Sequence, residues 1–383
     1  MPLIPCWQTT LRAGCSLWAV LAIVGLWVAE IQAQGTASLP VSLSSTSPVS
    51  RPGDVGSFEI RLKPLENATS APVVTALAAS AEGRFLAVAG DDHAIRVIDV
   101  GSGQELGTFA GHIDWIQSLA FGYSPQAVQA VAPILYSAGN DGRVLEWKYA
   151  YPVASREVIR LPYAVRSISV SSGMHALAIA GFSNEVLVWD LQANQLSHRL
   201  LCEGGDQRVV RFSPDGKLLL SAGRNGEVRV WDSQTGERLA EYQLHRGRVT
   251  TAAFSVDGSS VTSAGEDRRL VRYDIVNAKV EWQRELGKSK IMSLCLINDN
   301  LVAVAGADNK VRLFDALTDS VVAELEGHWG TVAVMEACGS FLASGSFDTT
   351  VRIWDLEKID RSNAAGKPVM LSPLKMDADL RIR

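Results

Sequence analysis

The sequence predicts an all-β chain: a seven-bladed β-propeller of four-stranded antiparallel blades, with the ring closed by an N-terminal strand. Three observations carry this. One phrase recurs seven times, from AGDDHAIRVID (89–99) to SGSFDTTVRIWD (344–355). The copies end at Asp99, Lys148, Asp190, Asp232, Asp274, Asp315 and Asp355, so the gaps are 49, 42, 42, 42, 41 and 40 residues. A near-constant period of this size marks one supersecondary unit repeated. Finally, each unit holds short apolar-alternating runs parted by turn residues, the pattern of strands with one face inward.

The fourth unit shows the logic. VVRFS (209–213) reads as a strand, and Pro214-Asp215-Gly216 as a turn with Pro at its first central position. KLLLSAG (217–223) is the second strand, Arg224-Asn225-Gly226 a tight hairpin turn, and EVRVWD (227–232) a third strand with period-2 alternation. RLAEYQL (238–244) completes the sheet. Such a sheet alone leaves two apolar faces in water, and stacking seven around an axis covers them.

Closing the ring requires the two ends of the repeat array to meet. The last unit supplies three strands, at 331–338, 341–346 and 350–356. SFEIRL (57–62) has strand alternation and is the expected fourth; PVMLSPL (368–374) is the rival. The propeller then spans 57–356, followed by an extension at 357–383.

The N-terminal part differs. Arg12 precedes an uncharged apolar run at residues 13–29, Glu30 ends it, and Ala33 offers a small residue for cleavage. This order predicts a signal peptide over 1–33 and export to a periplasmic or extracellular space. Seventeen uncharged residues also reach the lower limit of a membrane span, so a single-span anchor at 13–29 is the alternative. Residues 34–56 are rich in Ser and Pro and read as a disordered linker. Asn67-Ala68-Thr69 fits a glycosylation acceptor.

Composition excludes several functions. The formal charge of −5 argues against a nucleic-acid binder held by a basic surface. Cys202, Cys295 and Cys338 are too few and too widely spaced for a disulfide framework. The six histidines have no zinc-like spacing, and no phosphate-loop motif follows a strand, so neither metal nor cofactor is expected.

The Trp-Asp ending, the Asp six residues before the Trp, and the upstream Gly-His resemble the WD-repeat family of β-propellers. That resemblance implies a buried network of His, Ser or Thr, turn Asp and Trp. The second unit has His112, Ser137, Asp141 and Trp147; the last has His328, Ser344, Asp348 and Trp354; the fifth has His245, Ser263 and Asp267, with Tyr273 in place of Trp. Linked groups of these types satisfy one another's hydrogen bonds. Their recurrence and their mid-strand Ser argue against a hydrolytic triad, and no Gly-x-Ser-x-Gly elbow occurs. The other four units lack part of the set and are expected to rely more on apolar packing.

The resemblance also implies that partners dock where the loop into each first strand meets the turn before each third strand. Aromatic and Arg side chains are enriched at binding hot spots. Trp115, Phe182 and Phe347 are candidate anchors, Arg224, Arg248 and Lys290 a basic arc, and Glu266 lies among them. The function expected is a non-enzymatic scaffold, exported or membrane-tethered, working as a monomeric ring that binds a protein or peptide. An enzyme similar to the quinoprotein or lactonase propellers of the periplasm is the alternative, since Thr235-Gly236-Glu237 is similar to quinoprotein turns.

Overall fold

The computed structural model describes residues 57–65, 69–122, 134–148, 154–173, 175–358 and 369–371. The proposed signal or anchor, the linker, Asn67 and most of the C-terminal extension lie outside them. Among the described residues no helix is long and apolar enough to cross a membrane.

Seven antiparallel sheets follow one another in the chain, each ordered from its first strand outward. Blade one is Val74–Ala79, Phe85–Gly90, Ala94–Asp99 and Gln104–Ala110. Blade four is Gln207–Phe212, Leu218–Gly223, Glu227–Asp232 and Arg238–Gln243. First strands of consecutive blades pack side by side, and that of blade one meets Val332–Cys338 of blade seven, which completes the ring.

The closure uses the N-terminal strand. Ser57–Arg61 pairs antiparallel with Thr350–Asp355, from Ser57 opposite Trp354 to Arg61 opposite Thr350. An ion pair fastens it: Arg352 reaches the Glu59 carboxylate with its side chain only 5% exposed. The rival segment does something else. Val369–Leu371 pairs in parallel with Ser320–Leu325 and gives blade six a fifth strand.

Cohesion between blades is apolar. Ala87, Ala89, Ile95 and Val97 of blade one pack against Ile116, Leu135, Leu145 and Trp147 of blade two. Leu86, Val88 and Ile98 meet Ala343, Val351 and Ile353 across the closure. The middle strands, second and third, are therefore buried on both faces, whereas the outermost strands of blades one and four alternate toward solvent.

The Ala-Gly pair of the repeat has a steric cause. The loop into the first strand crosses the end of the second strand so closely that a Cβ on Gly181 or Gly223 would stand 2.3 or 2.2 Å from the carbonyl oxygen of Ala164 or Asp206. In those blades no side chain fits there. Blade seven has Ser346 at this place, and its hydroxyl instead donates to Gly330 O at 3.0 Å.

Candidate functional site: the loop face of the ring

The two sets of positions expected to form a binding face do meet. In every blade the backbone N–H of the turn residue donates to the carbonyl of the loop residue. The bonds are Asn140 to Trp115 (2.9 Å), Phe182 to Ala164 (3.0 Å), Arg224 to Asp206 (3.0 Å), Glu266 to Arg248 (2.9 Å), Ala307 to Lys290 (3.4 Å) and Phe347 to Thr331 (3.0 Å). Blade one closes the set with Asp91 to Val73 (3.2 Å). The seven candidate residues Trp115, Phe182, Arg224, Arg248, Glu266, Lys290 and Phe347 thus stand on one face.

Buried networks hold the loops beneath that face. In blade two the Trp147 indole donates to Ser137 Oγ at 2.8 Å, and Ser137 Oγ lies 2.8 Å from His112 Nε2. His112 Nδ1 lies 2.9 Å from the Asp141 carboxylate. Because the carboxylate only accepts, Nδ1 carries the ring proton, Nε2 accepts from the serine, and the serine accepts from the indole. Every group is used once in a neutral-imidazole chain. Blade seven repeats it: Trp354 to Ser344 at 2.9 Å, Ser344 to His328 at 2.8 Å, His328 to Asp348 at 3.0 Å. Blade five keeps His245 with Ser263 (2.9 Å) and Asp267 (3.0 Å), while Tyr273 packs its ring on Tyr242 with centroids 3.9 Å apart.

Burial pushes the imidazoles of His112 and His245 below their usual pKa, against the raising effect of their aspartates. Burial works to raise Asp141. The backbone N–H groups of Ile113 and Arg143, together with His112, outweigh it and hold the carboxyl below the usual range. Ser137 and Ser344 are fully buried. Each accepts from an indole and donates to its histidine, so neither oxygen is free to attack a substrate.

The network also aims side chains outward. In the three blades with the network His, the turn Asp accepts the N–H of the residue after that His: Ile113 (3.1 Å), Arg246 (3.1 Å) and Trp329 (2.8 Å). With their backbones tied down, these side chains project from the face. Trp329 is 87% exposed and Ile113 73%. Sequence reasoning missed them, although their place directly after the network His is visible in the chain.

Three of the four blades without the network His add an arginine to the apolar packing expected of them. In blade one Arg96 bonds Asp92 at 2.6 Å and donates to Lys63 O at 2.9 Å, tying turn to loop. In blade four Arg229 donates to Glu203 O at 2.5 Å and pairs with Glu227 and Glu241. In blade six Arg312 pairs with Asp308 at 2.7 Å. Each arginine lies four residues after the place of the turn Asp, which is Asp92, Asn225 and Asp308 in these blades. Blade four also keeps its Trp231-to-Ser221 bond at 2.9 Å, with the buried Cys202 thiol 3.8 Å from that serine. Blade three has Ile179 where the serine would be, and the Trp189 indole N–H is buried without a partner.

Along the ring axis, between the first strands, runs a cavity of about 670 Å³. Each first strand carries a β-bulge at its second residue, as between Val165 and Ser167 or Gln207 and Val209. A bulge re-aims the extra side chain, and here every one lines this cavity: Thr75, Gln117, Arg166, Arg208, Thr250, Met292 and Ala333. Arg166 bonds Gln117. Its pKa is pulled down to about 10, by burial first and then by Arg208 and Arg248. Arg208 bonds Asp206 at 2.5 Å and lies over the Phe182 ring at 4.3 Å. Arg248 bonds Glu266 at 2.9 Å, and Lys290 approaches the same carboxylate at 3.4 Å. Arg224 stands 4.0 Å from Asp206. Among the described residues no three His, Cys, Asp or Glu side chains converge as a metal-ligand set.

Comparison with known families and proteins agrees with this geometry. Residues 142–360, more than half of the chain, match the family described as "Nucleolar protein 10-like, N-terminal domain", a β-propeller. Residues 62–99 match "WD domain, G-beta repeat". Cell division control protein 4 of Saccharomyces cerevisiae is 41% identical over 66 residues, covering 17% of this chain and 8% of that protein. Mitochondrial division protein 1 of Neurospora crassa is 38% identical over 58 residues, covering 15% and 9%. The uncharacterized WD repeat-containing protein C126.01c of Schizosaccharomyces pombe is 35% identical over 75 residues, covering 20% of each chain. The matched stretches reach no more than a fifth of these relatives' lengths.

Proposed function

Because the chain belongs to the WD-repeat family of β-propellers, we propose that it is a non-enzymatic scaffold that binds a protein or peptide on the loop face of its ring. The observation that carries this is the convergence of exposed aromatic and cationic side chains on loops that buried networks hold rigid. Rigid presentation lowers the entropy cost of binding, since the loops need not be ordered by the partner. Fully buried serines speak against turnover at the Ser-His-Asp sets.

The apolar run at 13–29 supports a further part of the proposal: the ring is exported, or tethered to a membrane through that run. Sequencing the N-terminus of the mature protein decides it. A start near Gln34 is expected for export, and an intact Met1 in a membrane fraction for a tether; an intact Met1 in a soluble fraction contradicts both.

The binding reading is tested by affinity capture with two variants. Trp115→Ala/Arg248→Ala alters the loop face, and Leu239→Ala/Val280→Ala alters exposed residues of outermost strands. Loss of captured proteins with the first variant and retention with the second is expected. The same capture profile for both would refute the face.

A further inference from the structure

The loop face is chemically divided. Large apolar side chains stand on blades seven, two and three: Trp329, Phe347, Ile113, Trp115 and Phe182. Blade one completes this arc, and its Asp91 carboxylate is occupied by the Val73 N–H at 2.9 Å. Cations stand on the other side. Arg208 and Arg224 belong to blade four, Arg248 to the loop into blade five, and Lys290 to the loop into blade six. Arg166, on the first strand of blade three, joins them at the cavity mouth.

Charge on the cationic side does not balance. Asp206 is shared by Arg208 and Arg224, and Glu266 by Arg248 and Lys290. Arg166 has no ion pair among the described residues and lines the cavity with Arg208 and Arg248, whose repulsion exceeds the attraction of Asp206. Like charges gathered at a narrow, protein-walled mouth repel, and the low-dielectric walls strengthen that repulsion. An added anion relieves it. Arg248 Nε is buried without a hydrogen-bond partner, and so leaves one donor unused at the same place. Trp115 and Phe347 line the cavity beside these cations, so the two chemistries meet at one opening.

Resting on the scaffold reading, we propose that the partner presents an amphiphilic segment: a carboxylate side chain enters the cavity mouth among Arg166, Arg208 and Arg248, and an adjoining large apolar side chain lies against Trp115 and Phe347, with Trp329 at the rim. Guanidinium groups bind carboxylates through charge-assisted, often bidentate bonds. Exposed aromatics supply the desolvated anchor that makes such a contact hold. The divided face also sets the direction of the segment, because reversing it would put carboxylates on tryptophans.

The test is selection of a random-peptide display library on the full chain, followed by affinity measurement with the enriched peptides. Enrichment of peptides carrying Asp or Glu next to Trp, Phe or Leu is expected, with affinity falling as salt rises. Arg166→Gln/Arg208→Gln should weaken these peptides by about tenfold or more and abolish the acidic preference. Trp329→Ser/Phe347→Ser should remove the apolar preference and leave the salt dependence. Unchanged thermal melting of both variants excludes unfolding as the cause. Enriched peptides without acidic preference, or binding only when a peptide is phosphorylated, would overturn the proposal while leaving the scaffold reading intact. Peptides that bind equally to both variants and to Trp115→Ala/Arg248→Ala, or a library that yields no binder, would overturn both.

Discussion

At the residue scale, one serine hydroxyl decides how a tryptophan behaves. Trp354 is fully buried and its indole donates to Ser344, whereas the Trp189 indole has no partner because Ile179 replaces the serine. Removing the indole N–H therefore has different consequences in the two blades. Trp354→Phe leaves Ser344 short of a donor and is expected to cost about 1–2 kcal/mol beyond its change in packing. Trp189→Phe removes an unpaired polar atom and should be close to neutral in that respect, within about 0.5 kcal/mol. Urea unfolding of the two variants measures both values; equal costs would contradict the network's account. The network residues were legible in the sequence as types at fixed offsets. Arg96, Arg229 and Arg312 were equally visible, each four residues after the place of the turn Asp, but only the structure shows Arg96 and Arg229 tying turn to loop where the histidine is missing, and Arg312 paired with Asp308.

At the scale of elements, the ring is a chain of sheets fastened at one seam. Ser57–Arg61 is the fourth strand of blade seven, and without it Thr350–Asp355 becomes an open edge. Arg352 would also lose both the Glu59 carboxylate and the strand that covers it. Deleting residues 57–61 also removes the packing of Phe58 and Ile60 on the closure core and is expected to destabilise the ring by about 3 kcal/mol, visible as a lowered melting temperature. Unchanged melting would mean that the seam lies elsewhere. Strand alternation pointed to this segment, yet it left residues 368–374 as a rival. What separates the two is register: the first pairs across five residues, and Val369–Leu371 across three on another blade. Sequence periodicity reports that a strand forms, and it does not report which edge receives it. The same limit hid the bulge at each first strand, the feature that turns Arg166 and Arg208 into the cavity.

At the scale of the whole molecule, stability should fall toward acid for two linked reasons. His112 and His245 are held neutral by burial, with lowered pKa values. Below about pH 6.5 the unfolded chain binds protons at these residues and the folded ring does not, so unfolding gains. Asp141, Asp267 and Asp348 are held below their usual range, so their contribution is present above about pH 4 and is lost as pH falls further. Glu336 works in the opposite sense. Burial on the cavity wall raises its pKa to about 7, against the pull of Arg211. Its protonated form favours the fold at low pH, and that contribution disappears as pH rises through 7. Urea midpoints should therefore drop from pH 6.5 to pH 4, and Glu336→Gln should raise the midpoint at pH 8 relative to pH 5. A Glu336→Gln variant with an unchanged pH profile would contradict the assignment.

The period of the repeat made ring architecture legible from the chain alone, since seven equal units must share their apolar faces. The chemistry of the face was only half legible: aromatic and basic types could be placed at loop and turn positions, but their division between two arcs depends on the order of blades around a closed ring. The central claim is that a partner reads this loop face. Hydrogen-exchange mapping of the full chain, free and with a partner recovered by the paired capture, tests it most directly. Slowed exchange is expected at the backbone of residues 112–117, 246–250, 288–292 and 328–333, with the outermost strands unchanged. Protection confined to the outermost strands, with these loops exchanging as in the free ring, would contradict it.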